Sequence, residues 1–161
     1  MKVSDVMMRS AASCGPETNL GAAVEILWER NCGILPIVDA EQKVIGVVTD
    51  RDLCIALGTR NRPACEITVG EVTSGKLIAC AAEDDIRTAM ASMAHAKVRR
   101  LPVLSAGGKL EGILSMDDVA MHSETRTGKG TSGISYDEVV ETLKAVYGPQ
   151  LPQVGTRTAA A

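Results

Sequence analysis

The chain repeats itself. Displaced by 66 residues, it brings Val6 onto Val72, Leu20 onto Ile86 and Ala23 onto Ala89. In the same register Leu35-Pro36-Ile37-Val38 falls on Leu101-Pro102-Val103-Leu104, and Gly46-Val47-Val48-Thr49 falls on Gly112-Ile113-Leu114-Ser115. Asp52-Leu53 then meets Asp118-Val119, and no gap is needed anywhere. An L-P pair, a glycine, a hydroxyl and a carboxylate recurring at one offset mark two copies of one structural unit. A unit of about 55 residues buries only a marginal core alone, so the copies are expected to pack against each other.

Each copy reads in the same order. A short extended piece comes first, at Ala11 to Cys14 and at Leu77 to Ala81. Leu20, Ala23, Val24 and Leu27, and their counterparts Ile86, Ala89, Met90 and Met93, then follow the spacing of one buried helix face. Thr18 and Glu83-Asp84 supply the polar starts. Leu35-Pro36 and Leu101-Pro102 cannot continue a helix, which makes Ile37-Val38 and Val103-Leu104 short strands. Turns at 40–43 and 105–109 lead into second strands at Val44 to Val48 and Leu110 to Leu114, closing hairpins. A second helix follows each hairpin, from about Arg51 to Leu57 and from Asp117 to His122. The predicted class is α/β (α+β), each repeat being strand-helix-strand-strand-helix, with repeat 1 over 1–62 and repeat 2 over 63–122.

A third region lies beyond. Residues 123–134 are rich in Gly, Ser and Thr and read as a flexible linker. Ser135 and Glu138 have the spacing of a capping box, Val139, Val140, Leu143 and Val146 form an apolar stripe, and Gly148-Pro149 ends the run. One helix is therefore predicted within 135–148, its stripe needing a partner on its own module or on a second subunit. Residues 149–161 read as a disordered tail.

Composition excludes several functions. The 17 Lys and Arg against 20 Asp and Glu give a net charge of −3, which offers no general attraction for a phosphate backbone. Trp28, Tyr136 and Tyr147 are the only aromatics, too few to stack single-stranded bases, so no nucleic-acid partner is expected. No apolar run is long enough to cross a membrane, and Met1-Lys2-Val3-Ser4-Asp5 does not open a leader, which gives the expectation of a cytoplasmic protein. Cys14, Cys32, Cys54, Cys65 and Cys80 contain no C-x-x-C pair; they read as free thiols in a reducing compartment, mostly small buried apolar residues, with no metal site. His95 and His122 are the only histidines and neither belongs to a nucleophile motif, so no catalytic residue is assigned.

The chemistry sits where each second strand meets its helix. In Gly46-Val47-Val48-Thr49-Asp50-Arg51-Asp52 and Gly112-Ile113-Leu114-Ser115-Met116-Asp117-Asp118 a strand ends in a hydroxyl residue at a helix start. Unsatisfied N–H groups and the positive end of the helix dipole there accept a phosphate. The carboxylate three residues on can accept hydrogen bonds from a diol such as a ribose. The same spacing also lets a helix cap itself. Two copies in register behind matching strands favour a site.

On these residues, together with Val3-Ser4-Asp5-Val6-Met7, Leu35 to Asp39 and Val98 to Val103, the chain resembles a tandem pair of cystathionine β-synthase (CBS) domains, a Bateman module, over about residues 1 to 122. Small stand-alone bacterial CBS-pair proteins are the nearest likeness. The resemblance implies clefts between the repeats for an adenosine ligand, AMP, ADP or ATP foremost, with NAD and S-adenosylmethionine as further candidates and no required cofactor. It implies that the first site joins Thr49, Arg51 and Asp52 to Leu77, Ile78, Ala79, Val98, Arg99 and Arg100. The second joins Ser115 and Asp118 to Ala12, Ser13, Cys14, Cys32, Gly33 and Ile34. On this reading the first site holds the arginines and takes a phosphorylated adenosine. The second, with Asp117 in place of Arg51, has no cation and is empty or takes a less phosphorylated ligand. The function implied is a non-catalytic nucleotide sensor acting through a homodimer or an unidentified protein target; the alternative is a ligand-free interaction scaffold.

Overall fold

The computed structural model describes residues 1–73, 77–125 and 133–149. Repeat 1 contributes helix α1 (Leu20–Glu29), strands β1 (Ile34–Val38) and β2 (Val44–Thr49) and helix α2 (Asp50–Thr59). A short helix α3 (Val69–Val72) opens repeat 2, followed by α4 (Ile86–Ala96), β3 (Arg100–Leu104), β4 (Leu110–Ser115) and α5 (Met116–Met121). Two-residue strands β5 (Ser123–Glu124) and β6 (Ile134–Ser135) and helix α6 (Tyr136–Tyr147) complete the described chain. The helix-strand-strand-helix order is present twice, each preceded by an extended piece that makes a single bridge, with the C-terminal helix added.

Both hairpins are antiparallel with the same register. Leu35 faces Val48 and Leu101 faces Leu114, and each carries a register shift one residue before its end. The extended pieces add a third, parallel edge to each sheet. Cys14 N–H donates to the Pro36 carbonyl at 3.0 Å and Cys80 N–H to the Pro102 carbonyl at 3.1 Å. The prolines supply an acceptor on that edge but no donor, so the third strand stops at one bridge. The first helices begin one residue later than the polar signals suggested. Asn19 and Asp85, equivalent residues, are the N-caps, each accepting a backbone N–H within its own first turn.

The repeats complete each other's cores. Val3, Val6 and Met7, from the start of repeat 1, are buried in the cluster built by repeat 2. Ile67 and Val69, from the start of repeat 2, are buried in the cluster of repeat 1. The backbone bonds match: Val3 N–H donates to Asp84 O at 2.9 Å and Val69 N–H to Thr18 O at 2.8 Å. Each entering segment also bonds to the first turn of the other repeat's helix, Ile86 N–H to Met1 O and Leu20 N–H to Ile67 O. This exchange explains the paired glycines. Met8 exchanges two backbone bonds of 2.9 Å with Ile113 across β4, so a Cβ at Gly112 would lie 2.5 Å from the Met8 carbonyl oxygen. A Cβ at Gly46 would lie 2.7 Å from the Thr73 methyl carbon.

Helix α6 spans the residues expected, with Ser135 and Glu138 forming the capping box, and its partner is its own module. Val139 and Val146 join the buried cluster of repeat 2, with Leu143 against it, while Val140 stays exposed. Arg87 holds the helix start through Glu138 at 2.6 Å, and this bond, followed by the Ser135 N–H, lowers the Glu138 carboxyl to about 2. The 123–134 linker is entered and left through the parallel pair β5–β6. Its middle, 126–132, and the tail from 150 onward lie outside the described residues.

The crossing geometry sets an unequal cost for the two glycines. Gly112→Ala forces a methyl into backbone and is expected to destabilise by about 1–3 kcal/mol in urea unfolding. Gly46→Ala meets only the end of a side chain and should cost clearly less. Equal losses at the two positions would contradict the crossing seen at Met8.

Candidate functional site

The two motif residues at each strand end form closed boxes. Thr49 Oγ1 accepts Asp52 N–H at 3.3 Å, while Asp52 Oδ2 accepts the Thr49 N–H at 2.9 Å and its hydroxyl at 2.7 Å. Ser115 and Asp118 repeat this at 3.1, 3.0 and 2.6 Å. Capping is thus one role these residues perform. It leaves a second role open, because every bond goes to Oδ2; among the described residues Oδ1 of each aspartate has no protein donor. The hydroxyls each direct their proton to the neighbouring carboxylate.

Repeat 1 and repeat 2 meet at a cleft of about 180 Å³. Its walls include Ala12, Cys32 and Ile34 from one repeat and Ser115 and Asp118 from the other, five of the eight residues assigned to the second site. Ser115 is buried. The other three are elsewhere. Cys14 is buried in the core of repeat 1, Gly33 lines a neighbouring groove, and Ser13 is half-buried outside the lining. Met8 and Asn31 line the cleft without having been expected to.

Arg100 corrects the charge assignment. It was grouped with Arg99 in the first site, but it lines the second cleft. Arg100 stands directly opposite Ser115 in the β3–β4 register, and cross-strand partners share a face. Arg99, in the bend just before β3, is turned elsewhere and donates to the Tyr147 hydroxyl at 2.9 Å. The Arg100 side chain is 22% exposed and approaches Asp117 at 3.7 Å, the carboxylate itself being 83% exposed. An open pair of this kind holds its partner weakly. The second cleft therefore contains a cation, against the sequence expectation. The hairpin register, which sets the residue before L-P opposite the hydroxyl, was the signal available for it.

Of the other residues assigned to the first site, Thr49 and Asp52 are more open than their counterparts Ser115 and Asp118. Asp52, Arg51 and Arg99 are exposed, and Thr49, Leu77, Ile78, Ala79 and Val98 are half-buried. None of them lines the cleft just described. Beside that cleft a wider groove of about 630 Å³ runs between α1 and α2, walled by Val24, Leu27, Trp28, Leu53, Cys54 and Leu57. Trp28 is 85% exposed and Val24, expected inside, is 41% exposed.

The thiols divide by environment. Burial pushes Cys14 up to about 11, and burial with the nearby Asp84 charge pushes Cys80 up to about 12. Cys54 and Cys65 are exposed, which corrects the expectation of mostly buried cysteines. Among the described residues no group of His, Cys, Asp and Glu is placed to hold a metal ion, and no helix is long and apolar enough to cross a membrane.

Two small α/β repeats joined through exchanged segments, with a hydroxyl–carboxylate box at the end of each hairpin, define a paired-repeat module. The CBS domain family model matches the chain twice, over residues 3–59 and 69–124, and the chain belongs to that family. Hypoxic response protein 1 of Mycobacterium tuberculosis is 30% identical over 118 residues, covering 73% of this chain and 82% of that protein. Its crystal structure, described as holding two coordinated zinc ions, superposes with a TM-score of 0.70 at 29% identity over 76% of this chain and 98% of the other. The crystal structure of CBSX2 in complex with AMP gives a TM-score of 0.65 at 28% identity over 74% and 93% of the two chains. An uncharacterized protein of Methanopyrus kandleri is 29% identical, and this chain spans 61% of its length. The match to inosine-5'-monophosphate dehydrogenase of Methanocaldococcus jannaschii, 26% identical, spans 23% of that enzyme.

The burial differences order the thiols by reactivity. Alkylation at pH 8 followed by peptide mass spectrometry is expected to modify Cys54 and Cys65 first and Cys32 more slowly. Cys14 and Cys80 should react only once denaturant is added.

Proposed function

We propose that the chain is a regulatory, non-catalytic sensor of adenosine nucleotides. The observation that carries this reading is the cleft in which Ser115, Asp118 and Arg100 of one repeat face Ala12, Cys32 and Ile34 of the other. Small and apolar side chains give an adenine a flat slot. Asp118 Oδ1, unused by the cap, is available to a ribose diol. The Arg100 guanidinium, loosely held by Asp117, suits a phosphate. The AMP complex of CBSX2, a relative in fold and sequence, supports a nucleoside monophosphate as the ligand. Thr49, Asp52, Ile78 and Val98 are the repeat counterparts of this site's residues and would make a second site, with ADP or ATP as further candidates for either. On this reading no cofactor is needed. Five free thiols suit a reducing cytoplasm.

We further propose that two copies pair through the groove between α1 and α2. In repeat 2 the equivalent helix face is covered by α6, whereas in repeat 1 Val24, Trp28 and Leu57 stay in solvent. An apolar groove with a bare tryptophan marks an interaction face. A second copy brings the same surface to it as a self-complementary partner. The competing reading, a scaffold without ligand, draws on the closed capping boxes, and ligand binding separates the two.

Titration calorimetry with AMP is the direct test. Asp118→Asn keeps an oxygen for the cap but replaces the diol acceptor, and should weaken AMP by about 1.5–3 kcal/mol, the range for a hydrogen bond to a charged group. Arg100→Met should weaken AMP but leave adenosine unchanged. A melting temperature unmoved by AMP, ADP, ATP, NAD and S-adenosylmethionine, each at millimolar concentration, would favour the scaffold.

The pairing surface has its own check. Trp28→Glu is expected to turn a dimer into a monomer by light scattering after size exclusion, with the melting profile otherwise preserved, because the side chain is outside the core. A wild-type chain that elutes as a monomer would refute the pairing.

A further inference from the structure

The last turn of α6 holds two cations that flank Val98 in the chain. Lys97 Nζ donates to the carbonyl of Ala145, and Arg99 Nη1 donates to the Tyr147 hydroxyl at 2.9 Å. The C-terminal end of a helix carries the negative end of its dipole and unsatisfied carbonyls, so it attracts cations. Val98, between the two, is one of the residues assigned to the first site. In the 66-residue register Lys97-Val98-Arg99 is equivalent to Asn31-Cys32-Gly33, and Asn31 and Cys32 line the second cleft. Lys97 and Asn31 also share a left-handed backbone, with φ of 58° and 47°. The segment that walls the second cleft in repeat 1 is therefore, in repeat 2, tied down by α6.

From this we propose that α6 is a built-in competitor for the phosphate end of a first-site ligand. This rests on the nucleotide reading above. With the site empty, the Ala145 carbonyl and the Tyr147 hydroxyl satisfy Lys97 and Arg99. A phosphate entering beside Thr49 and Asp52 draws on the same two cations, and each bond it takes loosens the end of α6. The start of the helix stays anchored, since Arg87 holds Glu138 and the Gly133 carbonyl 2.8 Å away. The device thus frays one end of α6 rather than releasing it. Repeat 1 has no counterpart: Gly21, Asn31 and Gly33 occupy the positions of Arg87, Lys97 and Arg99. Only first-site occupancy is reported through the helix.

The test uses the full chain carrying Asp118→Asn, which weakens the second cleft, with and without Tyr147→Phe. Tyr147 is 64% exposed, so losing its hydroxyl leaves the core intact. Removing the competitor is expected to tighten AMP about three- to tenfold, the worth of one ordinary hydrogen bond. Adenosine, which has no phosphate, should bind the two chains equally. Hydrogen exchange of amides 143–147 should quicken when AMP is added, while that of 136–140 stays constant. Unchanged AMP affinity in the Tyr147→Phe chain, or an equal gain for adenosine, overturns the competition. Loss of all AMP binding on Asp118→Asn, in a protein that otherwise binds it, also overturns it by showing that the first site takes none. A wild-type chain that binds no AMP sinks the nucleotide reading itself and the competition with it.

Discussion

Neither repeat possesses a whole core. Val3, Val6 and Met7 are needed by the second repeat, and Ile67 and Val69 by the first. Each repeat is small enough that losing two or three buried aliphatic side chains, at roughly 1.5–3 kcal/mol apiece, would remove much of a domain's net stability. The exchange therefore binds the halves more firmly than a simple face-to-face contact would. It also fixes their relative position to within a hydrogen bond, because the entering segments pair with backbone: Met8 with Ile113, Val3 with Asp84, Val69 with Thr18. A cleft whose walls come from both repeats can keep a defined shape only under that constraint.

The same constraint explains residues that a functional reading alone would misplace. The glycine of each G-h-h-T/S motif stands before the hydroxyl and the carboxylate, and invites interpretation as part of a phosphate loop. Its surroundings say otherwise. Gly112 lies against the Met8 carbonyl, and Gly46 against Thr73, both on the chain crossing from the other repeat. The glycine serves the joint, and the residues three to six positions later serve the cap and the cleft.

Much of the architecture was legible because it was written twice. The offset of 66 residues, the L-P pairs and the helical stripes gave the order of elements, and Ser135 with Glu138 gave α6 to the residue. Less of the site could be read. Cys14 was grouped with Cys32 because both lie in segments the resemblance assigns to the cleft. Its thiol instead enters the core, because strand pairing with Ile37 fixes which way it faces. Arg99 and Arg100 looked like one charged pair in the sequence, yet the bend before β3 leaves Arg99 against α6 while pairing with Ser115 turns Arg100 to the cleft. Faces are set by register, and register depends on pairing partners that a linear pattern does not name. The exchange of segments was equally hidden, since Val3 and Val69 match each other in the repeat whichever core they enter.

The duplicated halves have diverged most where α6 lies. Val24 and Met90 occupy equivalent places in their helices, yet Val24 is 41% exposed and Met90 is 4% exposed. The amphipathic α6 accounts for the difference, because it supplies the partner that repeat 2 would otherwise lack. Its anchors are polar residues, Arg87, Lys97 and Arg99, that repeat 1 replaces with Gly21, Asn31 and Gly33. The polar contacts at its two ends therefore have no counterpart on the face of repeat 1. One end of the module is covered by α6, and at the other Val24, Trp28 and Leu57 are exposed. A change at the covered face alters the internal packing of the chain, whereas a change at the open face alters what the chain can meet. Two nearly equal repeats thereby acquire two different consequences.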